Sequence, residues 1–287
     1  MATLQDFKTQ EKSWWCPGCG DFGVLAALEK ALVEVGADPS TTAIIAGIGC
    51  SGKIGNYINS YNLHVTHGRT LPSAMGVKLA NRDLTVLAVG GDGDAYAIGM
   101  GHFMHALRRN VNITYIVMDN HVYGLTKGQT SPTSEIGFHT KTSPDGSIDT
   151  PVHPLMLAVA GGATYVAQGF SSWQPQLTHL IVEGIKHPGF AMINVISPCV
   201  TYNRVNTYEW YKKTLVNLDE DPSYRPTSRA IALARLEETD ELVTGLIYQE
   251  PSVPYEDQIP GFSKQPIVNQ NWHVDAALWN QILEHFE

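Results

Sequence analysis

Residues 84–120 read LTVLAVGGDGDAYAIGMGHFMHALRRNVNITYIVMDN, and this stretch decides the fold. The apolar run Leu84–Val89 predicts a strand buried on both faces, running into a glycine-flanked carboxylate, Asp92. A helix near Tyr96 to Arg109 follows, and a second buried strand, Ile113–Met118, stops just before Asn120. Parallel strands joined by a crossover helix imply an α/β fold, a mostly parallel sheet with helices on both faces. Such sheets bind ligands beyond the carboxyl ends of their strands, which is where Asp92 and Asn120 fall.

The same alternation extends outward. Asp21 can cap a helix whose apolar positions Val24, Leu25, Leu28 and Leu32 keep helical spacing until Gly36. A strand at Ala43–Ile48, a helix near Pro72 to Ala80, a helix from Trp173 to His187 and a strand at Phe190–Ile196 continue the pattern. Residues 124–154 are rich in Gly, Ser, Thr and Pro without periodicity, and a loop of that length in a compact domain is more often functional than idle. Beyond Pro198 the composition turns polar, aromatic and proline-containing, with short helical candidates at Arg229–Glu237 and Val274–Phe286. This division gives a ligand-binding domain over residues 1–200 and an irregular C-terminal arm over 201–287 that packs on the domain or on a partner.

With 287 residues and 43% hydrophobic composition the chain can bury a large core. Nineteen basic against 28 acidic residues leave a net charge of −9, which speaks against nucleic acid or an anionic membrane as a general partner. No apolar signal core and no spanning stretch is evident, so the expected location is cytoplasmic. In that reducing compartment the four cysteines, Cys16, Cys19, Cys50 and Cys199, point to ligation or redox chemistry rather than disulfides.

At the strand ends, Asp92 and Asn120 suit magnesium, which takes a few protein oxygens and completes its octahedron with phosphates and water. Gly90, Gly91 and Gly93 would let the backbone approach a diphosphate. A plain turn with a capping Asp is the bland alternative. For Cys16-Pro-Gly-Cys19 three chemistries compete: a thioredoxin-like nucleophile, a zinc site and a 4Fe-4S cluster, beside simple burial. The turn GIGCSGK, Gly47–Lys53, mimics two nucleotide fingerprints and fails both. No acidic residue follows at ribose-binding distance, and Ile54 stands where a magnesium-binding hydroxyl belongs.

The segment from Gly91 to Thr133, with its GDG opening, later Asn and YGLTKGQTSPT tail, resembles the thiamine-diphosphate motif of the 2-oxoacid:ferredoxin oxidoreductases. WCPGCGDFGVL, GIGCSGK and SPCVTYN match the β subunits of that family. The resemblance implies a thiamine-diphosphate-binding fold of the diphosphate type. It further implies magnesium on Asp92, Asn120 and the Val122 carbonyl, and one 4Fe-4S cluster on Cys16, Cys19, Cys50 and Cys199. The cofactor would lie against Gly49, Cys50, Ser51, His67, Gly91, Gly93, Asp94, Gly124, Leu125 and Thr126, with Lys53 and His67 catalytic and Lys53 and Lys127 on the substrate.

The expected reaction is oxidative decarboxylation of 2-oxoglutarate with coenzyme A to succinyl-CoA and carbon dioxide, or its reverse, with electrons passing to ferredoxin. Pyruvate is the alternative substrate, and a non-catalytic zinc-binding assembly subunit is the alternative from another class. An α subunit would carry the aminopyrimidine-binding domain and its catalytic Glu, giving a heterodimer paired as (αβ)2.

Overall fold

The computed structural model describes residues 2–262, 265–271, 273 and 275–286. Eight strands form one sheet: β1 (Thr42–Ala46), β2 (Tyr61–His64), β3 (Thr85–Gly91), β4 (Thr114–Asp119), β5 (Tyr165–Phe170), β6 (Ala191–Ile196), β7 (Val216–Asn217) and β8 (Val243–Gln249). Their spatial order is β2-β1-β3-β4-β6-β5-β8-β7. The first six run parallel, β8 pairs antiparallel with β5, and β7 lies parallel to β8. The chain leaves β1 outward to β2 and returns to place β3 on β1's other side. The carboxyl ends of β1 and β3 therefore open onto a topological switch point, where sheets of this kind bind ligands.

Alternate residues of the central strands feed two cores, which is why these strands read as unbroken apolar runs. Ile44, Leu87, Val89, Ile116 and Met118 pack toward Val24, Leu28 and Leu32 of α1 (Asp21–Glu34) and Leu177 and Ile181 of α5 (Gln174–Lys186). Ala43, Ile45, Val86, Ala88, Tyr115 and Val117 face the other way. They meet Leu71 of α2 (Thr70–Ala80), Phe103 of α3 (Met100–Arg109), Leu155 of α4 (Pro154–Ala160) and Leu236 of α7 (Arg229–Glu238). Each fully buried side chain of this size contributes about 1.5–3 kcal/mol.

The fold departs from the sequence expectations in four places. β1 ends at Ala46 rather than Ile48, because Gly47 and Ile48 already turn into the ligand crevice. Asp21 does not cap α1. It is the first helical residue, and its carboxylate accepts a hydrogen bond from Ser197 instead. The C-terminal segment is not irregular throughout, since β7 and β8 complete the sheet and α7 covers one face. Finally, β2, α4 and β5 had no sequence expectation. β2 is exposed along its length, and β5 buries Gln168 by sending its amide to the carbonyls of Glu241 and Val243.

Between these elements lie α6 (Tyr208–Thr214) and the short α8 (Tyr255–Gln258), whose Tyr255 N donates to Asn110 O at 3.0 Å. The helix expected from Val274 is observed as an exposed α9 (Ala276–Glu284); Val274 itself lies outside the described residues. Among the described residues no helix is long and apolar enough to cross a membrane.

Candidate active site

The crevice beyond β1, β3 and β4 is built around Asp94. One carboxylate oxygen accepts the backbone N–H groups of Ile48 (3.0 Å) and Gly68 (2.8 Å), and the other accepts the Thr70 hydroxyl (2.9 Å). Three segments distant in sequence are thereby drawn to the end of β3. Asp94 lines the cavity as expected, but its carboxylate organises the turns and is not free for a ligand. His67 also lines it, with Nδ1 3.2 Å from Asp94 Oδ1 at an angle that forms no hydrogen bond. Gly49 has a φ of +124°, a conformation open to glycine, and it carries the chain round to Cys50 and the buried Ser51. Asp94 also opens a π-helical turn, Asp94–Ile98, ahead of α3.

Asp92 is 3% exposed and lies beside a second buried carboxylate, Asp119. The Thr133 hydroxyl stands between them, 2.8 Å from Asp92 Oδ2 and 2.9 Å from Asp119 Oδ1. A single hydroxyl proton cannot satisfy two carboxylates. Burial, and after it the charge of Asp119, raises the Asp92 carboxyl well above the ordinary carboxylate range. A divalent cation at Asp92 relieves that tension, so the donor set fits magnesium. Asn120 shares the cavity; its side-chain oxygen accepts the Val122 N–H at 3.0 Å, around His121 at a φ of +57°. That turn directs residues 120–124 back across the cavity mouth.

The loop after β4 closes the site. Tyr123 N donates to Gln129 O (2.9 Å) and Gly128 N to Tyr123 O (2.9 Å), so residues 123–129 form a tight hairpin. Gly124, Leu125 and Thr126 line the cavity from this hairpin and Val122 from just before it, as Gly91 does from the end of β3 and Gly93 from the turn after it. Thr126 and Gln129 are hydrogen bonded to each other. Lys127, at a φ of +77°, is exposed and does not line the cavity. Lys53 is half-buried, does not line it either, and sits beside Cys50, whose thiol senses its charge. Sequence reasoning missed Asp119, Tyr123 and Thr133. Thr133 had a weak signal as the last residue of the aperiodic YGLTKGQTSPT tail.

The four cysteines are free, Cys16 exposed and the others half-buried. Their turns are pinned together: Gly20 N donates to Pro198 O (3.1 Å), and Trp15 Nε1 donates to Cys50 O (2.7 Å). A Cβ on Gly124 would lie 3.6 Å from Cys50 Sγ and 3.7 Å from Cys199 Sγ, so two of the sulfurs lie close behind this cavity-lining glycine, and Cys50 lines the cavity as well. Burial pushes the Cys19 thiol far up and the Cys50 thiol to about 11, and the carboxylate of Asp21 and the neighbouring sulfurs add to both. Burial and negative neighbours of this kind favour the neutral thiols, so only a bound cation would turn them into thiolates. Among the described residues no three His, Cys, Asp or Glu side chains stand close enough to share a single metal ion.

Comparison with known proteins decides the family. Residues 47–195 match the thiamine pyrophosphate enzyme C-terminal TPP-binding domain, and residues 199–264 match the C-terminal part of the pyruvate ferredoxin oxidoreductase β subunit. The chain is 45% identical over 273 residues to the 2-oxoacid:ferredoxin oxidoreductase subunit β of Saccharolobus solfataricus, covering 90% of this chain and 89% of that one. The chain belongs to the β subunits of the 2-oxoacid:ferredoxin oxidoreductases. Among these it is also 43% identical over 199 residues to the 2-oxoglutarate synthase subunit KorB of Archaeoglobus fulgidus, covering 69% of this chain and 74% of that one. Its structure superposes on the 2-oxoglutarate:ferredoxin oxidoreductase of Magnetococcus marinus, solved with 2-oxoglutarate, coenzyme A and succinyl-CoA bound. The TM-score is 0.91 at 35% identity, over all of this chain and 96% of that one. As an oxidoreductase β subunit, this chain works with an α subunit.

Proposed function

We propose that this β subunit holds thiamine diphosphate, magnesium and one 4Fe-4S cluster, and that with its α subunit it interconverts 2-oxoglutarate and succinyl-CoA, exchanging electrons with ferredoxin. The carrying observation is at Gly124, which lines the cavity and where an added Cβ would meet the sulfurs of Cys50 and Cys199 at 3.6 and 3.7 Å. Cofactor and cluster would be neighbours, with no room for a long electron path between them. The names of the relatives support the substrate assignment.

Thiamine diphosphate, when bound, supplies the nucleophilic carbon and the electron sink for loss of carbon dioxide. A 4Fe-4S cluster, when bound, supplies one-electron steps, and it takes one thiolate on each of four irons. In this chain Asp92, Asn120 and the Val122 carbonyl would hold magnesium, while Gly91 and Gly93 let the diphosphate approach the backbone. Asp94 fixes the turn that carries Cys50 and the one that carries His67, so both walls of the site depend on one carboxylate. Lys53, next to Cys50, would offer its ammonium to the distal carboxylate of the substrate, and Lys127 would sit at the outer rim. The α subunit would complete the aminopyrimidine half, and pairing as (αβ)2 follows for a two-subunit thiamine site.

The test is an anaerobic purification of the αβ complex, with visible spectrum and iron, sulfide and zinc analysis beside turnover of 2-oxoglutarate with coenzyme A and ferredoxin. About four irons and four sulfides per β chain are expected, with Cys16→Ala or Cys199→Ala bleaching the colour. Stoichiometric zinc without sulfide would end the cluster assignment.

A further inference from the structure

The start of α1 and the end of β6 are stitched together beside the cysteines. Ser197 Oγ donates to Asp21 Oδ1 at 2.6 Å, joining the residue two after Cys19 to the residue two before Cys199. Both side chains are buried, Asp21 at 0% and Ser197 at 1% exposure. Next to this bond Gly20 N donates to Pro198 O at 3.1 Å, and a Cβ on Gly20 would lie 2.5 Å from Ser197 Oγ. One turn further along, Gln174 Nε2 donates to Gly23 O (2.8 Å) and to Ser171 O (2.9 Å). The first turn of α1 is thus pressed against the ends of β5 and β6 without slack.

Asp21 is an expensive residue to bury here. It gives its own helix no side-chain cap, and its second oxygen, Oδ2, is buried without a hydrogen-bond partner. An under-satisfied buried carboxylate opposes folding, so its retention needs a reason in geometry. That reason is at hand in the two cysteine turns it joins. Its charge acts on Cys19 and on Cys50, so it also faces the third cysteine turn.

We propose that Asp21 and Ser197 are positioning residues for the four-cysteine site: their hydrogen bond holds the Cys19 turn against the Cys199 turn, presetting the sulfur spacing that a metal–sulfur cluster requires. This rests on the cluster reading above. The pair does not touch the cofactor cavity, so its removal acts on the cluster and leaves thiamine diphosphate binding in place.

The experiment compares Ser197→Ala, Asp21→Ala and Asp21→Asn in the anaerobically purified αβ complex. Iron and sulfide content, the rate of cluster loss to an iron chelator, and magnesium-dependent binding of thiamine diphosphate are measured for each. Asn retains the acceptor oxygen, so Asp21→Asn should keep four irons and a loss rate close to that of the unsubstituted complex. Ser197→Ala and Asp21→Ala should lose iron roughly 10-fold faster or more, the lower end of what a charge-assisted hydrogen bond provides, with cofactor binding unchanged. Unchanged iron content and loss rate in both alanine variants overturns the proposal. So does Asp21→Asn behaving like Asp21→Ala, or a loss of thiamine diphosphate binding in step with the cluster. An unsubstituted complex without iron and sulfide is a different failure, that of the cluster reading itself.

Discussion

Gly93 lies directly beneath the ring of Tyr123: a Cβ added to Gly93 would overlap Cε1 of that ring, and the Tyr123 hydroxyl donates to Gly93 O at 3.3 Å. The last glycine of the GDG triplet is therefore fixed by packing as well as by any diphosphate. Gly93→Ala should push the ring away and disturb the hairpin 123–129 that it anchors. Overpacking of this kind costs about 1–3 kcal/mol, so magnesium-dependent thiamine diphosphate affinity should fall roughly 5-fold to 150-fold. Titration calorimetry on the αβ complex measures it. Part of the loss should return in the Gly93→Ala, Tyr123→Ala double variant, and additive losses would show that the ring is not the obstacle.

Asp92→Asn separates metal binding from folding. The substitution keeps volume and removes a carboxylate that burial and Asp119 already disfavour in its charged form. Without magnesium the variant should be as heat-stable as the unsubstituted complex or slightly more so, with Thr133 now facing only one carboxylate. Magnesium-dependent cofactor binding should fall at least about 10-fold, the scale of one lost charge-assisted contact. Full affinity in the variant would remove Asp92 from the metal site.

Glu241, which shares a second cavity with Asp119 and Thr133, gives a pH signature of its own. Its carboxylate accepts the N–H groups of Leu155 (3.3 Å) and Met156 (2.7 Å) at the start of α4, yet burial pushes it up to about 8 against an ordinary value of 4.5. The folded chain then holds a proton that the unfolded chain releases between pH 4.5 and about 8. Its contribution to stability is present in full below that window and is lost as pH rises across it, with a slope no steeper than about 1.4 kcal/mol per unit. Glu241→Gln should flatten this part of the profile of melting temperature against pH. Profiles that run parallel across the window would mean that Glu241 is ionised in the folded state throughout.

How much of this was readable in advance follows from where each signal resides. Leu84–Val89 and Ile113–Met118 announced the central strands because both their faces are buried, and the cavity residues around Asp92 and Asn120 followed from the strand ends. Edge strand β2 was silent because it is only four residues long and exposed throughout, so no buried face marks it. β8 was hidden by a segment whose turn, at Asp240 and Glu241, uses positive φ without a glycine to mark it. Within the site, Thr133 and Asp119 were missed for a common reason. Their importance is a three-dimensional bridge between carboxylates, and nothing in a Ser/Thr-rich loop distinguishes the hydroxyl that makes it. Asp94, expected at the ligand, lines the cavity and also holds Ile48, Gly68 and Thr70, a role visible only once β1 and β3 are adjacent.

In the proposed function, substrate choice turns on Lys53. Pyruvate and 2-oxoglutarate share the 2-oxo carboxylate, so only the distal carboxylate of the larger acid distinguishes them, and selecting it takes a cation beside the reacting centre. Lys53 is half-buried one turn after Cys50, its backbone N–H donating to Cys50 O at 3.2 Å, and its charge reaches the Cys50 thiol. Cys50 in turn lines the cavity, whereas Lys127 is exposed and does not line it. A charge-assisted hydrogen bond is worth roughly 1.5–3 kcal/mol, or about 10-fold to 150-fold at about 1.4 kcal/mol per decade. Lys53→Met should lower kcat/KM for 2-oxoglutarate by that factor and leave the rate with pyruvate nearly unchanged. Equal losses on both acids would make Lys53 a general part of the site. A preference for pyruvate in the unsubstituted enzyme would overturn the substrate assignment, because the cation would then have no carboxylate to recognise.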